Sequence, residues 1–193
     1  METLGLTPSR KADNIWRNLF WPTIRTEVDV DQMGRQGFWL CFIIGAFGLV
    51  YAAFVGIYPA VIAVTVFFLL GGIGVRQRSR IAAVVMFSVY LLNMIAAFKY
   101  AGHGVVSDLI HAIFLGLLFA NIRGTFLSAK WRADATEPPP VRMTTTLTDR
   151  LADQLPLYVW PVGQWFFYVL AFLEIRLLLM LLFWPHVLFF RIA

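Results

Sequence analysis

Two histidines near the middle of the chain are the side chains best suited to bind a ligand. His103, Ser107 and His111 recur every four residues, and Asp108 precedes His111 by three. On a helix this spacing places both imidazoles on one face. They could bind a metal ion there, or a tetrapyrrole through one imidazole.

Two other interpretations of the same residues stay open. His111 could take part in a proton or ion relay together with Asn93 and Lys99, because polar groups inside a membrane often mark such paths. Alternatively, His103 lies in a turn, the polar residues after it cap the next helix, and His111 lies at headgroup depth. The spacing does not discriminate among these interpretations.

Signatures of catalysis are missing from the sequence. There is no zinc-protease His-Glu pair, no glycine-rich phosphate loop and no nucleophile elbow. The lone Cys41 lies in an apolar run, which excludes a disulfide framework and a cysteine-based metal site. Basic residues with aromatic neighbours are interpreted as lipid-headgroup anchors, so no nucleic-acid partner is expected. We predict a protein that is not an enzyme, with no cofactor specified.

The composition indicates a membrane protein. The chain has 193 residues, of which 60% are hydrophobic and 14% charged, and its mean hydropathy is +0.73. Charge-free runs approach the ~20 residues that cross a bilayer as a helix. We therefore predict an all-α, polytopic helical membrane protein with four transmembrane helices. The predicted spans cover residues 37–57, 59–74, 81–98 and 107–126. The helix that contains the first span is expected to start earlier, with Thr26 as its N-cap and Glu27 and Asp29 in its first turn.

Two further helices are predicted outside this four-helix core. Residues 9–21 place apolar and basic side chains on opposite faces, which is typical of an amphipathic helix at the membrane interface. A C-terminal apolar helix begins near residue 157 and is expected to be a fifth span, with a re-entrant hairpin as the alternative. The predicted segments are an interfacial segment (1–26), the core (27–127), a polar Pro- and Thr-rich connector (128–156) and the C-terminal membrane helix (157–193).

Three arginines fix the predicted orientation. Arg76, Arg78 and Arg80 lie in a short turn between two uncharged runs, and guanidinium groups cross a bilayer at high cost. The segments 1–36, 76–80 and 123–150 hold thirteen basic residues, against the single Lys99 near the turn at 101–104. The positive-inside rule therefore predicts a cytoplasmic N-terminus and an external 101–104 turn.

Glu174 and Arg176 are charges inside the C-terminal apolar segment. If this segment spans, each charge costs ~2.5–3.5 kcal/mol at the bilayer centre on insertion scales. Residues two apart on a helix point in nearly opposite directions, so these two side chains satisfy each other poorly. We expect at least one of them, Arg176 in preference to Glu174, to contact another helix or another subunit.

Four short stretches carry a family resemblance, and they are Trp21-Pro22-Thr23-Ile24-Arg25-Thr26, Gln36-Gly37-Phe38-Trp39, Ser79-Arg80-Ile81-Ala82-Ala83-Val84 and Asn121-Ile122-Arg123-Gly124-Thr125-Phe126. Over about residues 19–128 the chain resembles a widespread group of small, uncharacterised four-span membrane proteins of bacteria. The resemblance implies a four-span core and a bacterial inner (cytoplasmic) membrane. It implies no activity and no site residues.

Two functions remain open from the sequence. The first is a non-catalytic accessory or scaffold subunit of a larger membrane complex, whose partners are the lipid bilayer and other membrane subunits. The second is a membrane protein that binds a small solute, a metal or a tetrapyrrole through the His103–His111 region. Bound pigment or haem would colour the purified protein, which separates the two.

Overall fold

The computed structural model describes Ile24 and residues 27–55, 59–100, 104–134 and 158–184. Over these ranges it contains no strand and five α-helices, and they are α1 (Glu27–Val55), α2 (Pro59–Arg76), α3 (Arg80–Tyr100), α4 (Val105–Asp134) and α5 (Val159–Phe183). The predicted interfacial helix at 9–21 lies outside the described residues, as does most of the predicted connector.

Four of these helices are long and apolar enough to cross a membrane, and they are α1, α3, α4 and α5. The predicted class, an all-helical membrane protein, is confirmed. The fourth helix on this list is the C-terminal segment, with a mean hydropathy of 2.3 over its most apolar part. Helix α2 is shorter, with 18 residues, which at ~1.5 Å per residue is about 27 Å, close to one hydrocarbon thickness.

Two helices extend beyond the predicted spans. Helix α1 begins at Glu27, ten residues before the predicted span and at the predicted N-cap segment, so its first turns carry Asp29, Asp31 and Arg35. Helix α4 continues to Asp134, into the segment predicted as connector.

Helix α2 packs against α1, α3 and α5, and three glycines near its end each admit a different one of these neighbours. A Cβ atom at each position would meet a side chain of another helix: Met86 of α3 for Gly71, Cys41 of α1 for Gly72, and Trp160 of α5 for Gly74. Farther along, Gly45 and Gly48 of α1 lie against Phe68 and Thr65 of α2. Small residues at these positions let the two helix backbones approach closely.

Helix α5 packs along α2 and α3 over its whole length. Trp160 lies beside Gly74, at the end of the bundle that carries the 76–80 turn, which we call the arginine end. Halfway along, the rings of Phe167 and Phe67 are stacked with centroids 5.1 Å apart. Helix α5 therefore runs antiparallel to α2 and parallel to α3.

The far end of α5 is fixed by two side chains of α3. Lys99 Nζ donates to the carbonyl of Leu182, and Tyr100 OH donates to the carbonyl of Leu181, both at 2.7 Å. The last carbonyls of a helix have no partner within the helix, and a cation there also faces the negative end of the dipole. We call this end of the bundle the lysine end. Pro185 follows directly in the sequence, where the helix stops.

The Gly72 contact predicts a specific sensitivity. A Cβ at Gly72 would lie 3.1 Å from Cys41 Cβ and 3.3 Å from the Phe38 carbonyl oxygen, which is backbone and cannot rotate away. We expect Gly72→Val to lower the unfolding free energy by about 1–3 kcal/mol, as overpacking does. The measurement is unfolding in dodecyl sulfate followed by circular dichroism. Gly104→Val is the matched control, because nothing lies within 4 Å of a Cβ there. Equal stability of both variants would contradict the close packing of α2 against α1 at Gly72.

Candidate functional site

The turn between α2 and α3 holds an arginine in an unusual backbone conformation. Arg78 has a φ of 58°, in the left-handed region where glycine is normal. Its N–H donates to the Val75 carbonyl and the N–H of Ser79 donates to Gly74, both at 3.0 Å. Ser79 Oγ then accepts from the N–H of Ala82 and caps α3. The left-handed conformation of a non-glycine residue costs roughly 1–2 kcal/mol, so side-chain contacts of Arg78 must offset it.

Arg76 is the most deeply buried charged side chain among the described residues. Its guanidinium Nη1 lies 2.8 Å from Asp31 Oδ1 and also donates to the Asp31 carbonyl at 3.2 Å. The Arg76 side chain is 1% exposed and that of Asp31 is 19% exposed. This predicted turn arginine therefore lies inside the bundle, where it joins α2 to α1. Removing one partner of a buried ion pair costs about 3–5 kcal/mol, because the other charge stays buried.

Two further arginines approach the same carboxylate. Arg78 Nη2 lies 3.7 Å from Asp31 Oδ1, and Arg35 Nη2 lies 3.6 Å from Asp31 Oδ2. Arg78 Nη1 also donates to Ser128 Oγ of α4 at 3.2 Å. We call Asp31, Arg35, Arg76 and Arg78 the arginine cluster. Three guanidinium groups to one carboxylate leave these four side chains with an excess of positive charge.

Arg80 is the third arginine of the 76–80 turn, which was used to predict the orientation. It lies apart from the arginine cluster. It begins α3, is exposed, and its guanidinium carbon lies 6.0 Å from the ring centroid of Phe126 on α4. Such a cation–π contact contributes ~0.5–1 kcal/mol at an exposed site. The three arginines thus share one end of the bundle, while only Arg76 and Arg78 contact Asp31.

A second polar layer joins α1 to α4 just inside the arginine cluster. Asn121 Nδ2 donates to the Met33 carbonyl at 2.8 Å, and Thr125 Oγ1 donates to the Asn121 carbonyl at 2.9 Å. Both polar side chains are buried. Gly37 faces the Asn121 amide and leaves the room for it. This layer satisfies its buried polar groups and fixes the spacing of α1 and α4.

A groove of about 550 Å³ opens between α1 and α4 beside the arginine cluster. Its polar end is lined by Asp31, Gln32, Arg35 and Gln36. Its apolar remainder is lined by Trp39, Leu40, Ile43, Phe114 and Leu117. From Asp31 to Ile43 the helix rises about 18 Å at ~1.5 Å per residue. The groove is therefore elongated along the bundle axis, with polar groups at one end only.

His111 lies near the lysine end, in contact with its own helix. Its Nδ1 is 2.7 Å from the Ser107 carbonyl oxygen, so Nδ1 must carry the proton, and Nε2 is left as the nitrogen that can bind a ligand. Its ring stacks on Tyr90 of α3 at 5.9 Å. The recess beside it measures about 20 Å³, room for roughly one water molecule.

The histidine pair itself is not tested by these contacts. His103 lies outside the described residues, so the structure gives no distance between His103 and His111. Among the described residues no three His, Cys, Asp or Glu side chains are grouped as a metal site requires. A ligand at His111 stays a prediction.

Glu174 and Arg176 face different sides of α5, as expected for residues two positions apart on a helix. Glu174 is half-buried, and its carboxyl group is in hydrogen-bonding contact with the side chain of Asn93 on α3. The Asn93 amide also donates to the Val89 carbonyl at 3.1 Å. Glu174 thus finds a polar partner on another helix of the same chain.

Arg176 lies on the outer surface of α5. It is exposed, and no described acidic side chain forms an ion pair with it. It lines a shallow groove of about 410 Å³. The other residues of that groove are all apolar, and they are Phe172, Ile175, Leu179, Met180, Phe183 and Trp184.

Two features of the site were missed from the sequence although signals for them exist. Asp31 and Arg35 are four residues apart at the start of a long apolar run, the spacing of an ion pair on one helix face. Asn121, Thr125 and Ser128 recur at helical spacing near the end of α4, and they form a polar stripe toward α1 and the 76–80 turn.

Comparisons with protein-family models, with curated proteins and with solved structures find no match for this chain.

Proposed function

We propose that this protein is a non-catalytic accessory or scaffold subunit of a larger complex in the inner membrane of a bacterium, with its N-terminus in the cytoplasm. The observation that supports the proposal is Arg176, a guanidinium on the outer, apolar surface of α5. A charge in that place needs an anionic group that the described part of this chain does not supply.

The surroundings of Arg176 are those of a helix surface that faces lipid or another protein. The exposed side chains of α5 include Trp165, Phe166, Phe172, Leu177 and Phe183. Exposed apolar surface is ordinary where acyl chains cover it, whereas an arginine costs ~2.5–3.5 kcal/mol near the bilayer centre. Glu174 does not neutralise Arg176, because it faces α3. A carboxylate on a neighbouring transmembrane helix would remove most of this cost.

The shape around Arg176 also suits a helix. The apolar groove follows α5 from Phe172 to Trp184, about 18 Å at ~1.5 Å per residue. A partner helix lying there would cover the exposed aromatic rings and bring one acidic side chain to Arg176. Buried pairs of this kind confer specificity on helix association in a membrane.

The proposed orientation rests on where the basic residues lie. Arg35, Arg76, Arg78 and Arg80 are all at the arginine end, while Lys99 marks the lysine end. Basic residues accumulate on the cytoplasmic side of membrane proteins. This supports a cytoplasmic arginine end and, since α1 begins there, a cytoplasmic N-terminus.

The partner proposal predicts the effect of removing the charge. Arg176→Leu should reduce recovery of the partner subunit at least about tenfold, because removing one partner of a buried charge pair costs about 2–5 kcal/mol at an interface, largely through the unpaired charge left behind. The measurement is purification in a gentle detergent, followed by native gel and quantitative mass spectrometry of co-purified subunits. Arg80→Leu is the matched control, since it removes the same charge from an exposed site, and should leave recovery unchanged. Full partner recovery by Arg176→Leu would instead mean that Arg176 reaches lipid headgroups at the lysine end.

The orientation proposal is tested with single cysteines. Cys41 is fully buried and should not react, so the natural sequence serves as the background. Gly104→Cys, at an exposed position of the lysine end, should react with an impermeant maleimide in intact cells. Gln77→Cys, exposed at the arginine end, should react only after the membrane is permeabilised. The reverse pattern would overturn the proposed orientation.

A further inference from the structure

We propose that the groove between α1 and α4 is a binding site for one anionic phospholipid, with its phosphate at Arg35 and an acyl chain along Trp39, Ile43 and Phe114. This site is independent of the Arg176 surface, which lies on a different helix. Three properties of the groove support this occupant: its depth, the order of its polar and apolar residues, and the sign of its exposed charge.

The length of the groove along α1 is close to the thickness of one bilayer leaflet. A bilayer with its headgroup regions is ~40–45 Å thick, so one leaflet measures about 20–22 Å. The groove covers about 18 Å along α1, from Asp31 at the arginine end to Ile43 near the middle of the bundle. A helix crossing the whole bilayer would need a groove about twice as long. A single lipid of the leaflet at the arginine end fits this length.

The order of the lining residues is that of an amphiphile. The four groove residues nearest the arginine end are Asp31, Gln32, Arg35 and Gln36, all polar. Every other lining residue is apolar, and one of them is Trp39, at the boundary between the two parts. Tryptophan prefers this boundary in membranes, where its ring is buried and its N–H meets the headgroups. Gln32 and Gln36 are exposed and can donate to phosphodiester and glycerol oxygens.

The charge presented to a headgroup is positive. Within the arginine cluster, Arg76 contacts the Asp31 carboxylate from inside the bundle. The Asp31 side chain is 19% exposed. The Arg35 side chain is 32% exposed, more than the other three members of the cluster. The most accessible charged side chain of the cluster is therefore a cation, and it lines the groove. A guanidinium also matches the geometry of a phosphate with two parallel hydrogen bonds.

Lipid binding by the full-length protein in detergent is measured by native mass spectrometry. The probes are phosphatidylglycerol, which is anionic, phosphatidylcholine, which is zwitterionic, and glycerol 3-phosphate, which has no acyl chain. We expect one saturable phosphatidylglycerol per chain, binding about five- to tenfold tighter than phosphatidylcholine. Glycerol 3-phosphate should not bind at the same concentration, because the groove's apolar contacts are then missing.

Two variants and one control separate this site from general attraction to basic residues. Arg35→Gln should weaken phosphatidylglycerol about five- to tenfold and leave phosphatidylcholine unchanged. Arg80→Gln removes a basic residue at the same end but outside the groove and should change neither. Ile43→Trp fills the apolar part from an exposed position of α1 and should weaken both lipids. Circular dichroism verifies that each variant is folded.

Three results would overturn the proposal. Equal weakening by Arg35→Gln and Arg80→Gln would show a diffuse electrostatic effect. Glycerol 3-phosphate binding as tightly as phosphatidylglycerol would show a free-phosphate site without a role for the groove. A dimer in the native spectrum that disappears in Ile43→Trp would show that a second copy of the chain occupies the groove.

Discussion

The ion pair between Arg76 and Asp31 is the constraint on which the arginine end depends. A guanidinium that is 1% exposed must be paired, since an uncompensated buried charge costs several kcal/mol. Asp31 reaches the end of α2 because α1 extends beyond the N-terminal end of its apolar run and packs against the 76–80 turn. The same carboxylate then receives Arg78, whose contacts with Asp31 and Ser128 offset its left-handed backbone. One acidic side chain thus ties together α1, α2 and the α2–α3 turn.

This arrangement separates the two surfaces on which function is proposed. At the arginine end, Arg76 and Arg78 face the interior of the bundle. Arg35 is the most exposed charged side chain of the groove beside them. On the opposite side of α2, helix α5 keeps Glu174 inward against Asn93 and leaves Arg176 outward. In both places a guanidinium lies next to apolar surface: Arg35 is paired with Asp31 and partly exposed, whereas no described acidic side chain pairs with Arg176. A lipid phosphate suits the first place, and a carboxylate on a membrane partner suits the second.

The helices were predictable from the sequence because long uncharged runs have few other solutions in a membrane. The C-terminal segment is the clearest case, since Leu, Phe and Trp dominate it and it forms α5 as expected. The pairing of charges was not predictable in the same way. The three arginines of the 76–80 turn are equivalent in a charge count, yet Arg76 is buried, Arg78 is left-handed and Arg80 is exposed. Which of them contact Asp31 depends on the rotation of α2 about its axis, which the glycines Gly71, Gly72 and Gly74 determine through packing.

A double-mutant cycle between Asp31 and Arg76 tests this account most directly. Unfolding free energies are measured in dodecyl sulfate for Asp31→Leu, Arg76→Met and the double variant. The account predicts a loss of about 3–5 kcal/mol for each single variant. It also predicts a smaller loss for the double variant than the two single losses added together, by at least ~1 kcal/mol, because the pair interacts directly. Additive losses, or an Arg76→Met variant as stable as the natural protein, would contradict it.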